Sequence, residues 1–210
     1  WMTALYGVML LGGGTGALVF AELWVPSGIA ALFVTTSPFW MVGIDARMPG
    51  GEKLHLPTLA GIVIGFAGVL TLVAPAAMGE PMGPGFLKGF FLLQFGCFSW
   101  CLGSVLQKRH QTRAHPFVNG AIQQVATGLV YLPVAFLLPQ PQIRWSTSGA
   151  LAAVWLIVFG SIVAYSAFLY ALHNLPVAIV STYTYVNPIV AMCLGWLFYR
   201  EPFGTRELIA

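Results

Sequence analysis

Charge is scarce in this sequence. Nine Lys and Arg and six Asp and Glu make up 7% of 210 residues, against 58% hydrophobic residues and a mean hydropathy of +0.84. A soluble domain typically carries ~25% charged residues, so this chain cannot cover a water-facing surface and is expected to lie within a lipid bilayer. A scattered net charge of +3 excludes nucleic acid as a partner. Cysteine is scarce too. Cys97, Cys101 and Cys193 all lie in apolar runs, and the first two, four apart, read as small core residues on one helix face rather than a redox pair. The histidines His55, His110, His115 and His173 fall near the ends of apolar segments. No Cys/His spacing matches a metal site, so neither metal nor cofactor is expected. There is no HExxH, no GxSG-type serine with a helical His partner and no pair of mid-segment carboxylates. The chemistry of an intramembrane enzyme is not written here.

What is present is long apolar runs. A helix crosses the ~30 Å hydrocarbon core with about 20 residues. Seven segments qualify, at 2–22, 27–46, 58–75, 86–107, 116–138, 149–172 and 176–199. The breaks between them, such as DARMPGGEKLHLP and QKRHQTRAHP, concentrate Pro, Gly and charge as turns require. The ~10-residue alternating strands of a membrane barrel are absent. An all-α membrane bundle is expected. Arg47, Lys53, Lys108, Arg109 and Arg113 gather on one face and Lys88, Arg144, Arg200 and Arg206 on the other. The first is assigned to the cytoplasm by the positive-inside rule, on a margin of one charge.

An internal repeat carries more information. Ala17, Ala21, Pro26, Ile29 and Pro38 recur 150 residues later as Ala167, Ala171, Pro176, Ile179 and Pro188. Segments one and two therefore correspond to six and seven. A displacement of five segments is odd, so the copies cross the membrane in opposite directions. Inverted repeats of this kind are a signature of secondary transporters. A five-helix unit implies ten helices in the intact protein, with two before Trp1 and one after Ala210. Residues 1–75 then form the last three helices of the first repeat, 76–85 the loop between repeats, and 86–210 the first four helices of the second.

The pattern VPSGIAAL–TTSPF, then GIVIGFAGVL, and later STYTYVNPIVAMCLGWLFYRE resembles the EamA-domain permeases of the drug/metabolite transporter superfamily. The resemblance implies a multi-pass protein of the bacterial inner membrane with cytoplasmic termini, exporting amino acids, other small metabolites or toxic compounds. The stretch Asp45-Ala-Arg-Met-Pro-Gly-Gly-Glu52 departs from the family's usual apolar approach to a Gly-Glu turn.

The polar residues of the apolar segments are the candidates for substrate contact. Ser181, Thr184, Tyr185 and Pro188 fall within about 100° on one helix face, with Gly195 and Tyr199 extending the stripe. Tyr183 and Asn187 sit together on the other side. In the earlier copy Thr35, Pro38 and Asp45 form the equivalent stripe, and Ser37 stands in for Asn187. Pro38 and Pro188 each remove an N–H and are expected to bend their helices, freeing the carbonyls of Val34 and Thr184. Neighbouring hydroxyls can also serve only to repair such bends, a competing role for each Ser and Thr. Trp100, Tyr165 and one of Gln123 and Gln124, taken as Gln124, complete the candidates. Thr15 and Glu22 share a face of the first segment. Gly61, Gly65 and Gly68 read as a packing ridge, within one subunit or between subunits of a homo-oligomer, and Trp24 and Trp145 as interfacial anchors. No segment carries a central Asp, Glu, Lys or Arg. A neutral or zwitterionic small solute, exported by alternating access between repeats, is the expected substrate. The rival expectations are an intramembrane enzyme and a packing subunit of a larger complex.

Overall fold

The structure, a computed structural model, describes residues 1–78, 83–110, 112, 114–137, 146–194 and 197. Gly195, Tyr199, Arg113, Arg144, Trp145, Arg200, Glu201 and Arg206 lie outside the described residues. Seven helical segments follow one another: α1 (Met2–Ala21), α2 (Ser27–Val34 and Ser37–Arg47), α3 (Leu56–Met78), α4 (Phe86–Arg109), α5 (Pro116–Leu137), α6 (Thr147–Asn174) and α7 (Val177–Ser181 and Tyr183–Leu194). No strand occurs among the described residues. Helices α1, α2, α4, α5 and α6 are long and apolar enough to cross a membrane, and α3 and α7 contribute the shorter apolar stretches Leu56–Thr71 and Val177–Val190.

Helix α4 is the central post, packed on both α1 and α2. Gly89, Gly96 and Gly103, spaced by seven, line its contact with α1. A Cβ on them would lie 3.1 Å from the Ala21 carbonyl oxygen, 3.0 Å from that of Gly14 and 3.1 Å from Met9 Cβ respectively. Small residues let membrane helices approach this closely and gain dispersion contact that lipid cannot match. The thiols of α4 meet α2 where α2 is broken: Cys97 Sγ lies 3.8 Å from the Phe33 carbonyl oxygen and Cys101 Sγ 3.3 Å from that of Ser37. Two apolar cores form along α4, one of Ala21, Val25, Ile29, Ala30 and Leu93, the other of Met41, Cys101, Val105 and Val177.

The two copies of the repeat share local irregularities. Pro26 caps the N-terminus of α2 with φ −55° and ψ 142°, and Pro176 that of α7 with φ −54° and ψ 144°. Both α1 and α6 widen into π-helical turns, at Val8–Gly16 and Leu156–Ala164. The i→i+5 pattern shifts carbonyls away from their usual partners, and neighbouring helices take them up. Ser99 Oγ donates to the Met9 carbonyl (2.8 Å) and Tyr131 Oη to that of Gly12 (2.7 Å). In the second copy Gln124 Nε2 donates to the Ser161 carbonyl at 2.9 Å.

The proline bends differ from the sequence expectation. Helix α2 breaks at Thr35–Thr36, so Pro38 falls in the first turn of the second piece, where its missing N–H needs no partner. Helix α7 breaks at Thr182, and Pro188 lies inside the following piece. Side-chain hydroxyls close both joints. Thr35, Thr36 and Ser37 donate to the carbonyls of Leu32, Phe33 and Val34, each at 2.6 Å. Ser181, Thr182 and Thr184 donate to those of Ala178, Ile179 and Ser181 at 2.7, 2.7 and 3.0 Å.

At one end of the bundle, polar ties join three helix C-termini. Arg109 Nη2 meets Asp45 Oδ1 at 2.8 Å, its guanidinium also reaches the Pro49 carbonyl, and Asp45 Oδ2 accepts the Glu52 N–H at 3.1 Å. Lys108 Nζ donates to the His173 carbonyl at 3.0 Å. Asp45, the point of departure from the family pattern, thus anchors the turn that follows α2.

Candidate functional site

Two cavities meet in the membrane-spanning part of the bundle. The larger, about 820 Å³, lies among α1, α4, α5, α6 and α7; the smaller, about 240 Å³, lies among α1, α2, α4 and α7. Thr15, Trp100, Tyr183 and Asn187 line both. Each copy of the repeat thus contributes to the junction: Thr15 comes from the π-helical part of α1, and Tyr183 and Asn187 from the second piece of α7. The larger cavity by itself is of the size that small-molecule sites occupy.

Aromatic rings form one wall of the larger cavity. The Trp100 ring lies 5.3 Å from Phe168 and 6.4 Å from Tyr165, and Tyr165 and Phe168 are near-parallel at 6.3 Å, with Tyr183 edge-on to Phe168 at 5.5 Å. Tyr165 is held from behind. Its hydroxyl donates to Gln123 Oε1 at 2.6 Å, and Gln123 Nε2 donates to Gln107 Oε1 at 2.7 Å. Gln123 is fully buried, so this chain of amides fixes the ring plane from the side away from the cavity. The indole Nε1 of Trp100 is buried without a hydrogen-bond partner among the described residues.

Of the residues that the sequence singles out, Trp100, Gln124, Tyr165 and Asn187 line the larger cavity and Ser37 the smaller. Thr35, Ser181 and Thr184 are buried and hydrogen-bonded to their own helices, away from both cavity walls. Tyr185 turns to α3, where its hydroxyl donates to the Ile62 carbonyl at 3.0 Å. Its ring covers Gly65, at which a Cβ would come within 2.7 Å of it. Gly61, one turn earlier, faces open space. Pro38 is fully buried, and Pro188 is half-buried inside its helix.

Residues 87–210 match the EamA-like transporter family. The chain belongs to that family. It is an all-helical member of the drug/metabolite transporter superfamily and a multi-pass inner-membrane protein. The Uncharacterized inner membrane transporter YedA of Escherichia coli (strain K12) is 36% identical over 99% of this chain and 66% of its own length. The chain thus spans just under two thirds of that relative. A Probable amino-acid metabolite efflux pump of the same strain is 33% identical over 42% of this chain and 29% of its own. A solved crystal structure of a protein 20% identical superposes with a TM-score of 0.84, covering 100% of this chain and 71% of that one. It shows a shared fold.

In this EamA-family chain the residues that sequence reasoning left out of the site are Thr15, Tyr183, Thr182, Ser161 and Phe168, all at the larger cavity. Two signals were available. Tyr183 and Asn187 are four apart and share a face, and Thr15 interrupts a run of glycines opposite Gly96 and Trp100. Neither says which face turns inward. That depends on which neighbour covers the other side, and here α3 covers Tyr185.

Proposed function

We propose that this protein is part of a secondary transporter that exports small neutral or zwitterionic metabolites by alternating access between two inverted five-helix repeats. Residues 1–75 belong to the first repeat and 86–210 to the second. The single observation that carries the reading is the junction of the two cavities, where Thr15 of α1 and Tyr183 and Asn187 of α7 face a common space. Ligand sites at the interface of inverted repeats, beside interrupted helices, suit a mechanism in which one half rocks against the other. Trp100, Gln124, Tyr165, Asn187 and Ser37, joined by Thr15 and Tyr183, are the substrate-contacting residues. Thr35, Ser181 and Thr184 hold the helix joints, and Tyr185 fastens α7 to α3.

The π-helical turns and joints supply the moving parts. Side chains of adjacent helices hold the displaced carbonyls at single hydrogen bonds, each worth ~0.6–2 kcal/mol in membranes. Such bonds can exchange partners as helices rock without a large barrier. The export direction follows the name of the efflux pump that shares part of this chain's sequence.

The test uses the full-length protein in inverted membrane vesicles with a panel of labelled amino acids and neutral metabolites, with and without a proton gradient. Saturable uptake that is lost on Asn187→Ala supports both the export reading and the site. Uptake unaffected by that change returns Asn187 to the scaffold. No uptake of any compound by folded protein refutes the reading for that panel.

A further inference from the structure

The chemistry of the cavity walls selects among neutral and zwitterionic solutes. We propose that the site takes a flat, uncharged aromatic or heteroaromatic compound carrying an amide-type edge, a C=O beside an N–H; this substrate class rests on the transport reading and narrows it.

Three observations carry the proposal. First, no Asp, Glu, Lys, Arg or His lines either cavity among the described residues. A zwitterion brings two formal charges, and each leaves bulk water at a cost that only an opposite charge or a set of directed dipoles repays. Several N–H groups at the helix joints are already spent within the backbone. At the α7 joint the N–H groups of Thr182, Tyr185 and Val186 are already bonded to the carbonyls of Ile179 and Thr182. In α2 the N–H groups of Thr35, Thr36, Phe39 and Trp40 are likewise engaged.

Second, four rings, Trp100, Tyr165, Phe168 and Tyr183, touch in sequence along the larger cavity. Tyr165 and Phe168 lie one helical turn apart with planes only 21° from parallel, so both present similarly oriented ring faces. Because Gln123 fixes Tyr165 from behind, that ring is in place before a ligand arrives, and stacking on it costs little side-chain entropy.

Third, Thr15 and Asn187, which line both cavities beside the Tyr183 and Trp100 rings, are exposed there. Neither makes a hydrogen bond among the described residues. Other cavity groups are occupied: Ser37 by Val34, Thr182 by Ile179, Gln124 by Ser161 and Tyr165 by Gln123. An Asn amide presents one acceptor and two donors in a plane. Its complement is another amide edge, and a ring lactam presents that edge in the plane of the ring that stacks on the wall.

The test is equilibrium binding of tritiated 2-quinolone to the full-length protein in lipid nanodiscs, with binding to empty discs subtracted. Competitors are coumarin, which replaces the lactam N–H by an ester oxygen, and phenylalanine, benzoate and benzyltrimethylammonium, which add charge to a ring. Saturable 2-quinolone binding, with coumarin about tenfold weaker, is expected; that factor corresponds to ~1.4 kcal/mol, one net hydrogen bond. The preference should vanish in Asn187→Leu while the ring still binds, and Phe168→Ala should weaken both compounds alike. Thr15→Val is the second variant should Asn187→Leu fail to fold, and a loss of preference there has the same meaning. Equal competition by phenylalanine overturns the exclusion of zwitterions. An unchanged lactam preference in both Asn187→Leu and Thr15→Val overturns the polar anchor. Amino acids carried in the vesicle assay by a protein that does not bind 2-quinolone overturn the substrate class and leave transport standing. A protein that carries nothing and binds nothing loses both.

Discussion

Replacing Gln123 by Leu tests the buried amide chain most directly. Gln123 has no exposed surface and holds two partners, Tyr165 Oη at 2.6 Å and Gln107 Oε1 at 2.7 Å. Leu fills most of the volume but leaves a phenol donor and an amide acceptor unpaired. Each buried orphan costs ~1–3 kcal/mol. Membrane reference states soften such losses, because the chain also finds partners when unfolded in lipid, and measured interhelical bonds there fall near ~0.6–1.7 kcal/mol. Two bonds therefore give about 1–4 kcal/mol. Adding Tyr165→Phe removes one orphan, so the double variant should regain about 1 kcal/mol relative to Gln123→Leu alone, a positive coupling in a double-mutant cycle. The assay is equilibrium unfolding of the full-length protein in mixed micelles with increasing SDS, followed by far-UV circular dichroism. A Gln123→Leu protein as stable as the parent, with additive double-mutant energies, would refute the claim that this chain of amides positions Tyr165.

Further outcomes follow from other parts of the fold. In a background lacking Cys97, Cys101 and Cys193, Asn187→Cys and Thr15→Cys should react with a small aqueous thiol reagent at least tenfold faster than Thr184→Cys or Tyr185→Cys, measured by gel shift; equal rates would place the cavity on the wrong face of α7. Gly96→Leu should destabilise the bundle by about 2 kcal/mol or more, because a Cβ there already crowds the Gly14 carbonyl; Gly61→Leu, facing open space, should change stability by less than about 0.5 kcal/mol in the same SDS titration. Asp45→Asn should loosen the turn after α2 by weakening its ties to Arg109 and the Glu52 N–H, at a cost of about 1–2 kcal/mol given a partly exposed pair. Faster limited proteolysis between Met48 and Lys53 would report it, and unchanged cleavage would count against the anchor.

Seven apolar segments, their polar breaks and the all-helical class were readable in the linear chain, because a bilayer leaves few ways to satisfy backbone groups and each way has its own length and period. The paired prolines at Pro26 and Pro176 were readable for the same kind of reason: a residue without an N–H suits the entrance to a helix. The matched π-helical turns were not. Widening at Val8–Gly16 and Leu156–Ala164 depends on side chains delivered from elsewhere, Ser99 and Tyr131 to α1 and Gln124 to α6.

The site divides along the same line. That α7 carries hydroxyls, an amide and a proline in an apolar segment is a fact of sequence, and so is the angular separation of Tyr185 from Asn187. Which of those faces meets the cavity was decided only when α3 packed against Tyr185 through Gly65 and Ile62, leaving Tyr183 and Asn187 to share a space with Thr15 and Trp100. Helical period sets which residues lie together, since it is a property of one chain segment. What covers them is a property of neighbours, and only the packed bundle supplies it.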